Sequence, residues 1–261
     1  MVRCRLSLRM AFAFLAMVPL VLNAQTLPPA QRSGNAFLSP ELRAMQNDAT
    51  RNPVQLWLEQ GRTLWGAVDQ PNSCFQCHGD VQNMKAVATR FPKWSTSKQQ
   101  LINLEDQILD CAQRSGKPMK GLENPDVLAL SAIVHESSQG MPYQITSTPV
   151  DASQWQDALN QGAAQFTARM GRMNLACTHC HDLSIGKQMR ADVISPGHPT
   201  GFPIFKMSWQ SMGSIDRRLR ACFSGVQADV PAPGSQALRQ LELFLKMRAQ
   251  GIPIDGPSLR R

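Results

Sequence analysis

Cys74-Phe75-Gln76-Cys77-His78 and Cys177-Thr178-His179-Cys180-His181 decide the reading of this 261-residue chain. Each is a CxxCH, the spacing that attaches c-type haem. Two thiols on one helical turn add across the two vinyl groups of a single porphyrin. The histidine that follows is carried beneath the ring, where it ligates iron. A zinc site would need four ligands grouped together, and His78 and His181 lie far apart in sequence. The spacing therefore predicts two covalent haems c, bound through Cys74 and Cys77 and through Cys177 and Cys180, with His78 and His181 as iron ligands.

Outward from the motifs, the chain repeats itself. Trp57-Leu58-Glu59-Gln60-Gly61-Arg62-Thr63-Leu64-Trp65 precedes the first motif, with apolar positions spaced for a helix buried on one face. Trp155 to Gly162 precedes the second. A glycine in each, Gly61 and Gly162, would let two helix backbones approach closely. Beyond the motifs each half has a lone cysteine, Cys111 and Cys222. Counting onward from them, Val127, Leu130, Ile133 and Val134 match Leu238, Leu241, Phe244 and Leu245, one helical stripe in one register. Gln139-Gly140-Met141-Pro142 and Gln250-Gly251-Ile252-Pro253 follow as helix stops. The expected fold is mainly α, with two tandem class I-like cytochrome c domains related by internal duplication. Their expected spans are 51–148 and 149–261, after an arm without clear periodicity at 25–50.

The N-terminus reads as an export signal over residues 1–24. Arg3, Arg5 and Arg9 precede the apolar run Met10–Leu22, with cleavage expected after Ala24. That run is too short to span a bilayer, and no later segment is apolar enough. Export puts the chain in an oxidising compartment. Loss of the leader removes Cys4 and three arginines, so the seven cysteines become six and the formal net charge falls from +8 to +5. A composition of 43% hydrophobic and 18% charged residues argues against disorder. With no Lys/Arg run of nucleic-acid type and one tyrosine, nucleic-acid binding has little support.

The sixth iron ligand is open to several residues. Methionine is common there, and Met119, Met141, Met170, Met173, Met189, Met207 and Met212 are candidates, as are His135 and His198. Cys111 and Cys222 are better placed, because they occupy the same position in both repeats; a Cys111–Cys222 disulfide is the alternative. Ser214 to Cys222 reads as a short helix capped by Ser214, on which Arg218 and Cys222 share a face. A guanidinium there lowers a thiol pKa and holds an oxyanion. The first half has Gln107 in the place of Arg218 and no charge there, so Cys222 is expected both to ligate and to react, and Cys111 only to ligate. The alternative is that Arg217, Arg218 and Arg220 simply solvate a helix.

Asn174–Asp182, Pro199-Thr200-Gly201-Phe202-Pro203, Arg217–Cys222, Leu241–Leu245 and Arg260-Arg261 resemble the SoxA family of dihaem cytochrome subunits of SoxAX thiosulfate-oxidising complexes. The resemblance implies a periplasmic heterodimer with a small SoxX-like cytochrome c. It implies that the complex joins thiosulfate oxidatively to a cysteine of a SoxY-like carrier, an L-cysteine S-thiosulfotransferase activity. By position it makes His78 and Cys111 the axial ligands of one haem and His181 and Cys222 those of the other. Cys222 becomes the active cysteine, carried as a persulfide or thiosulfonate, and Arg218 a substrate-binding residue. Two rivals remain: a plain dihaem electron-transfer cytochrome with no substrate of its own, and a dihaem peroxidase, which needs a labile iron position that two thiolates argue against.

Overall fold

Gly61 and Gly162 place the main helices. In the computed structural model, which describes residues 29–66, 71–148 and 151–261, a Cβ on Gly61 would collide with the carbonyl of Ala129 and a Cβ on Gly162 with that of Gln240. Only glycine permits these approaches. The expected export signal, including Cys4, Met10–Leu22 and the cleavage position, lies outside the described residues.

The elements run in chain order. After α1 (Pro40–Asn47) come α2 (Val54–Trp65), the motif helix α3 (Cys74–His78), a hairpin of β1 (Lys93–Ser95) and β2 (Gln100–Ile102), α4 (Leu104–Arg114) and α5 (Pro125–Glu136). The second half gives α6 (Ala152–Thr167), the motif helix α7 (Cys177–His181), a small hairpin of β3 (Gln188–Met189) and β4 (Asp192–Val193), β5 (Ile204–Lys206), β6 (Ser211–Gly213), α8 (Ile215–Gly225), α9 (Gln236–Arg248) and β7 (Ser258–Arg260). β5 pairs antiparallel with β6 and parallel with β7. The chain is mostly helical, and its main packing pairs are α2 on α5 and α6 on α9.

The step of 111 residues from Cys111 to Cys222 also superposes the local structure. Lys93 pairs with Ile102 as Ile204 pairs with Gly213. Gln99 and Gln210 both adopt a left-handed turn conformation, at φ 50° and 51°. Asn103 caps α4 and Ser214 caps α8. The β3–β4 hairpin is the insertion that distinguishes the second half. The two Gly-x-Pro segments lie well past the helix ends rather than capping them. They meet each other instead: Pro142 and Pro253 form an antiparallel bridge, and Gly140 N–H donates to the Ile254 carbonyl at 2.9 Å.

The halves share a core. Leu58, Leu101, Leu128 and Ile133 from the first are buried with Ala158, Met212, Leu243 and Leu259 from the second. A smaller cluster of Phe166, Ile215, Leu219, Leu238, Leu241 and Leu245 belongs to the second half alone. A fully buried Leu, Ile, Phe or Met side chain contributes about 1.5–3 kcal/mol.

A buried ion network joins α4, α8 and α9. Arg239, wholly buried on α9, donates from Nε and Nη2 to the two carboxylate oxygens of Asp106 at 2.6 and 3.0 Å, and from Nη1 to Asp216 at 3.2 Å. Asp106 sits at the start of α4 and Asp216 at the start of α8. Glu242 accepts from Lys246 at 2.8 Å and from Asn103 at 3.2 Å. The helices carrying Cys111 and Cys222 are thus tied by one guanidinium.

The arm has more structure than its sequence pattern suggests. Ser39 caps α1, with Pro40 at its first turn. Leu42 reaches the shared core. Gln46 accepts from the Leu259 N–H at 2.9 Å, Asn35 from Arg260 at 2.8 Å, and the Ala30 carbonyl from His198 at 2.8 Å. One short turn of contacts to β7 is too brief to leave a periodic signal.

Candidate haem and sulfur site

The second motif is built around His181. Its Nδ1 lies 2.8 Å from the Ser195 carbonyl, so Nδ1 carries the proton and Nε2 is left for iron. Gly197 packs against the ring: a Cβ there would stand 2.9 Å from Nδ1. Burial lowers the His181 pKa, the Ser195 bond opposes that shift, and the charges of Arg218 and Arg248 add to it. A neutral imidazole is the ligating form. Neither Ser195 nor Gly197 was singled out from sequence, because their role depends on the loop folding back over the motif.

Around the first motif, Ser73 caps α3, its Oγ accepting from the Gln76 N–H at 3.1 Å. Trp65 Nε1 donates to the Gly79 carbonyl at 2.8 Å, and its ring centroid lies 5.9 Å from that of His78. His78 is exposed, and among the described residues no hydrogen bond reaches its ring. The two motif histidines are therefore held differently.

Each lone cysteine stands by the motif of its own half. Burial raises the Cys74 thiol and the neighbouring Cys111 raises it further. Burial pushes Cys177 up to about 11, and Cys222 is the next cause. All six described cysteines are free, so Cys111 and Cys222 are not joined. The two histidine candidates are spent elsewhere. His135 is buried in α5, its Nδ1 2.9 Å from the Ser131 carbonyl, and His198 is tied to Ala30. Met212 lies in the shared core, whereas Met173, Met189 and Met207 are exposed.

The arginine cluster divides. Arg217 stacks on Trp209 at 4.2 Å and donates to Ser211 at 3.0 Å. Arg220 donates to the Pro231 carbonyl at 3.0 Å. The guanidinium of Arg218, half-buried on α8, has no hydrogen bond or ion pair among the described residues. Its charge is felt by His181, by Lys206, lowered by burial and then by Arg218, and by Arg260. Burial first, and the Arg218 charge against the help of Asp255, bring Arg260 down to about 10. The neighbours thus hold the helix in place while Arg218 alone keeps a free guanidinium.

The reading of the position before each cysteine holds, but it missed a charge on the other side: in the first half Arg114 Nη2 donates to Cys111 Sγ at 3.2 Å, and Gln107 Nε2 to the same sulfur at 3.6 Å. Arg114 sits three residues after the cysteine rather than four before it. The i, i+3 spacing puts it on the same face, and a search on the N-terminal side alone passes it by. The Cys222 sulfur accepts no hydrogen bond among the described residues.

The free ligand nitrogen of His181, the glycine beside its ring and the paired motif cysteines fit a c-type haem. Fold and site define a c-type cytochrome, and the family described as SoxA/TsdA, cytochrome c domain, matches residues 60–143. A cytochrome c domain implies covalently bound haem c iron. The chain is 30% identical over 233 residues to the L-cysteine S-thiosulfotransferase subunit SoxA of Pseudaminobacter salicylatoxidans, covering 88% of this chain and 80% of that one. It is 31% identical to the SoxA subunit of Allochromatium vinosum, covering 80% and 74%. The crystal structure of SoxXA from P. pantotrophus is similar with a TM-score of 0.78 at 25% identity, covering 88% of this chain and 86% of that one. The chain belongs to the SoxA family of L-cysteine S-thiosulfotransferase subunits. No helix among the described residues is long and apolar enough to cross a membrane.

Proposed function

We propose that this chain is the dihaem subunit of a periplasmic L-cysteine S-thiosulfotransferase. It works as a heterodimer with a small SoxX-like cytochrome c and conjugates thiosulfate to a cysteine of a SoxY-like carrier. The unpaired Arg218 guanidinium, one helical turn before a Cys222 sulfur that accepts no hydrogen bond, carries this reading over that of an electron-transfer cytochrome without a substrate. Two domains, 51–148 and 149–261, follow a cleaved leader at 1–24 and an arm at 25–50, and we read the halves as products of an internal duplication.

Cys74 and Cys77 hold one haem, with His78 and Cys111 on its iron. Cys177 and Cys180 hold the other, with His181 and Cys222 on its iron. The haem iron supplies a one-electron acceptor and a path to the partner cytochrome. Thiosulfate is a dianion, and Arg218 binds its sulfonate oxygens and turns the outer sulfur toward Cys222. The Cys222 thiolate and the outer sulfur join in an S–S bond with loss of two electrons, which leave one at a time to the partner cytochrome. The carrier thiolate then attacks that outer sulfur, takes the thiosulfonate group and releases Cys222 as thiolate. Electrons and atoms balance over the two steps.

Arg218→Ala tests the assignment. A hydrogen-bonded charge is worth about 1.5–3 kcal/mol, so thiosulfate turnover should fall roughly 10- to 150-fold while both haem spectra stay intact. Unchanged turnover would remove Arg218 from the site.

A further inference from the structure

Equivalent positions in α4 and α8 exchange their chemistry around the two lone sulfurs. Gln107 corresponds to Arg218, and Arg114 corresponds to Gly225. Cys111 Sγ accepts from Arg114 at 3.2 Å and from Gln107 at 3.6 Å, so donors reach it from the turns before and after. Among the described residues the Cys111 sulfur is the only hydrogen-bond acceptor of the Arg114 guanidinium, and no carboxylate competes for it. A bond from a cation to an anionic sulfur is charge-assisted. It draws electron density off the sulfur, and hydrogen bonding around a ligating atom is a lever on reduction potential.

We propose that Arg114 tunes the first haem: it withdraws charge from the Cys111 thiolate and makes that iron easier to reduce than a bare thiolate would. This deepens the reading of Cys111 as an axial ligand and rests on it. Arg114 is a positioning residue acting through the sulfur. The bare Cys222 sulfur keeps its lone pairs for iron and substrate, and α8 lacks any side chain at the equivalent place.

The test is potentiometry of the purified heterodimer, followed optically and by electron paramagnetic resonance. Arg114→Met should lower one midpoint by about 59 mV, tenfold in that haem's reduction equilibrium, and leave the other unmoved. Arg114→Lys should restore part of the shift. The reciprocal graft Gly225→Arg is sterically open, since a Cβ there meets nothing within 4 Å, and it should raise the other midpoint. Both midpoints unchanged in Arg114→Met, or both shifted alike, would overturn the proposal. A thiolate-type spectrum surviving on both haems in Cys111→Ser would instead overturn the ligand assignment beneath it.

Discussion

α4 and α8 begin alike and end differently, and the difference lies at the sulfur. Both follow a hairpin of identical register, both are capped by a side chain, and both place a cysteine eight residues into the helix. On α4 the sulfur accepts from Arg114 and Gln107; on α8 it accepts from nothing described, and the nearest arginine on its face is itself unpaired. An arginine after the cysteine binds the sulfur, while the guanidinium of the one before it is left without a partner among the described residues. On the function proposed above, the same pair of residue types serves a stationary ligand in one half and a reacting one in the other. Around the histidines the contrast repeats, with His181 held by Ser195 and enclosed by Gly197 while His78 is exposed.

The largest effect on the comparison should come from Arg239→Leu, which gives the second half the leucine that the first has at Leu128. It strands Asp106 and Asp216 without their shared guanidinium. Removing one partner of a buried pair costs about 3–5 kcal/mol, measurable as a drop in the urea midpoint. A neutral result would mean that the two cysteine helices are not joined through this network.

A slightly smaller effect separates His135 from its counterpart Lys246. Burial, and then the Lys246 charge, lower the His135 pKa to about 4 from 6.5, so the folded state holds it neutral. Below pH 6.5 the unfolded chain takes up the proton and the folded one does not. The stabilisation is therefore complete above pH 6.5 and is lost as the pH falls toward 4, by about 3 kcal/mol. Urea titrations of His135→Gln should lose that part of the acid slope; an unchanged slope would show that His135 is not held neutral.

Much of this was legible in the sequence. The motifs, the lone cysteines and the matched stripes Val127–Val134 and Leu238–Leu245 fixed the helices and their order, because helical period and haem spacing are local. Three features were not. Arg239, Glu242 and Lys246 look like the solvated side of α9, and they are buried only because α4 brings Asp106 and Asn103 against them. The short strands carry too few residues for an alternating pattern. The hold of Ser195 on His181 depends on a loop whose return no local signal marks. Arg114, by contrast, was within reach of the same helical-face argument that found Arg218.

The central claim is that Cys222 reacts and Cys111 does not. Peptide-resolved mass spectrometry of the holo heterodimer, given thiosulfate and an oxidised partner cytochrome without the carrier, tests it most directly. The thiosulfonate adduct should appear on the Cys222 peptide alone; an adduct on the Cys111 peptide, or on neither, would contradict it.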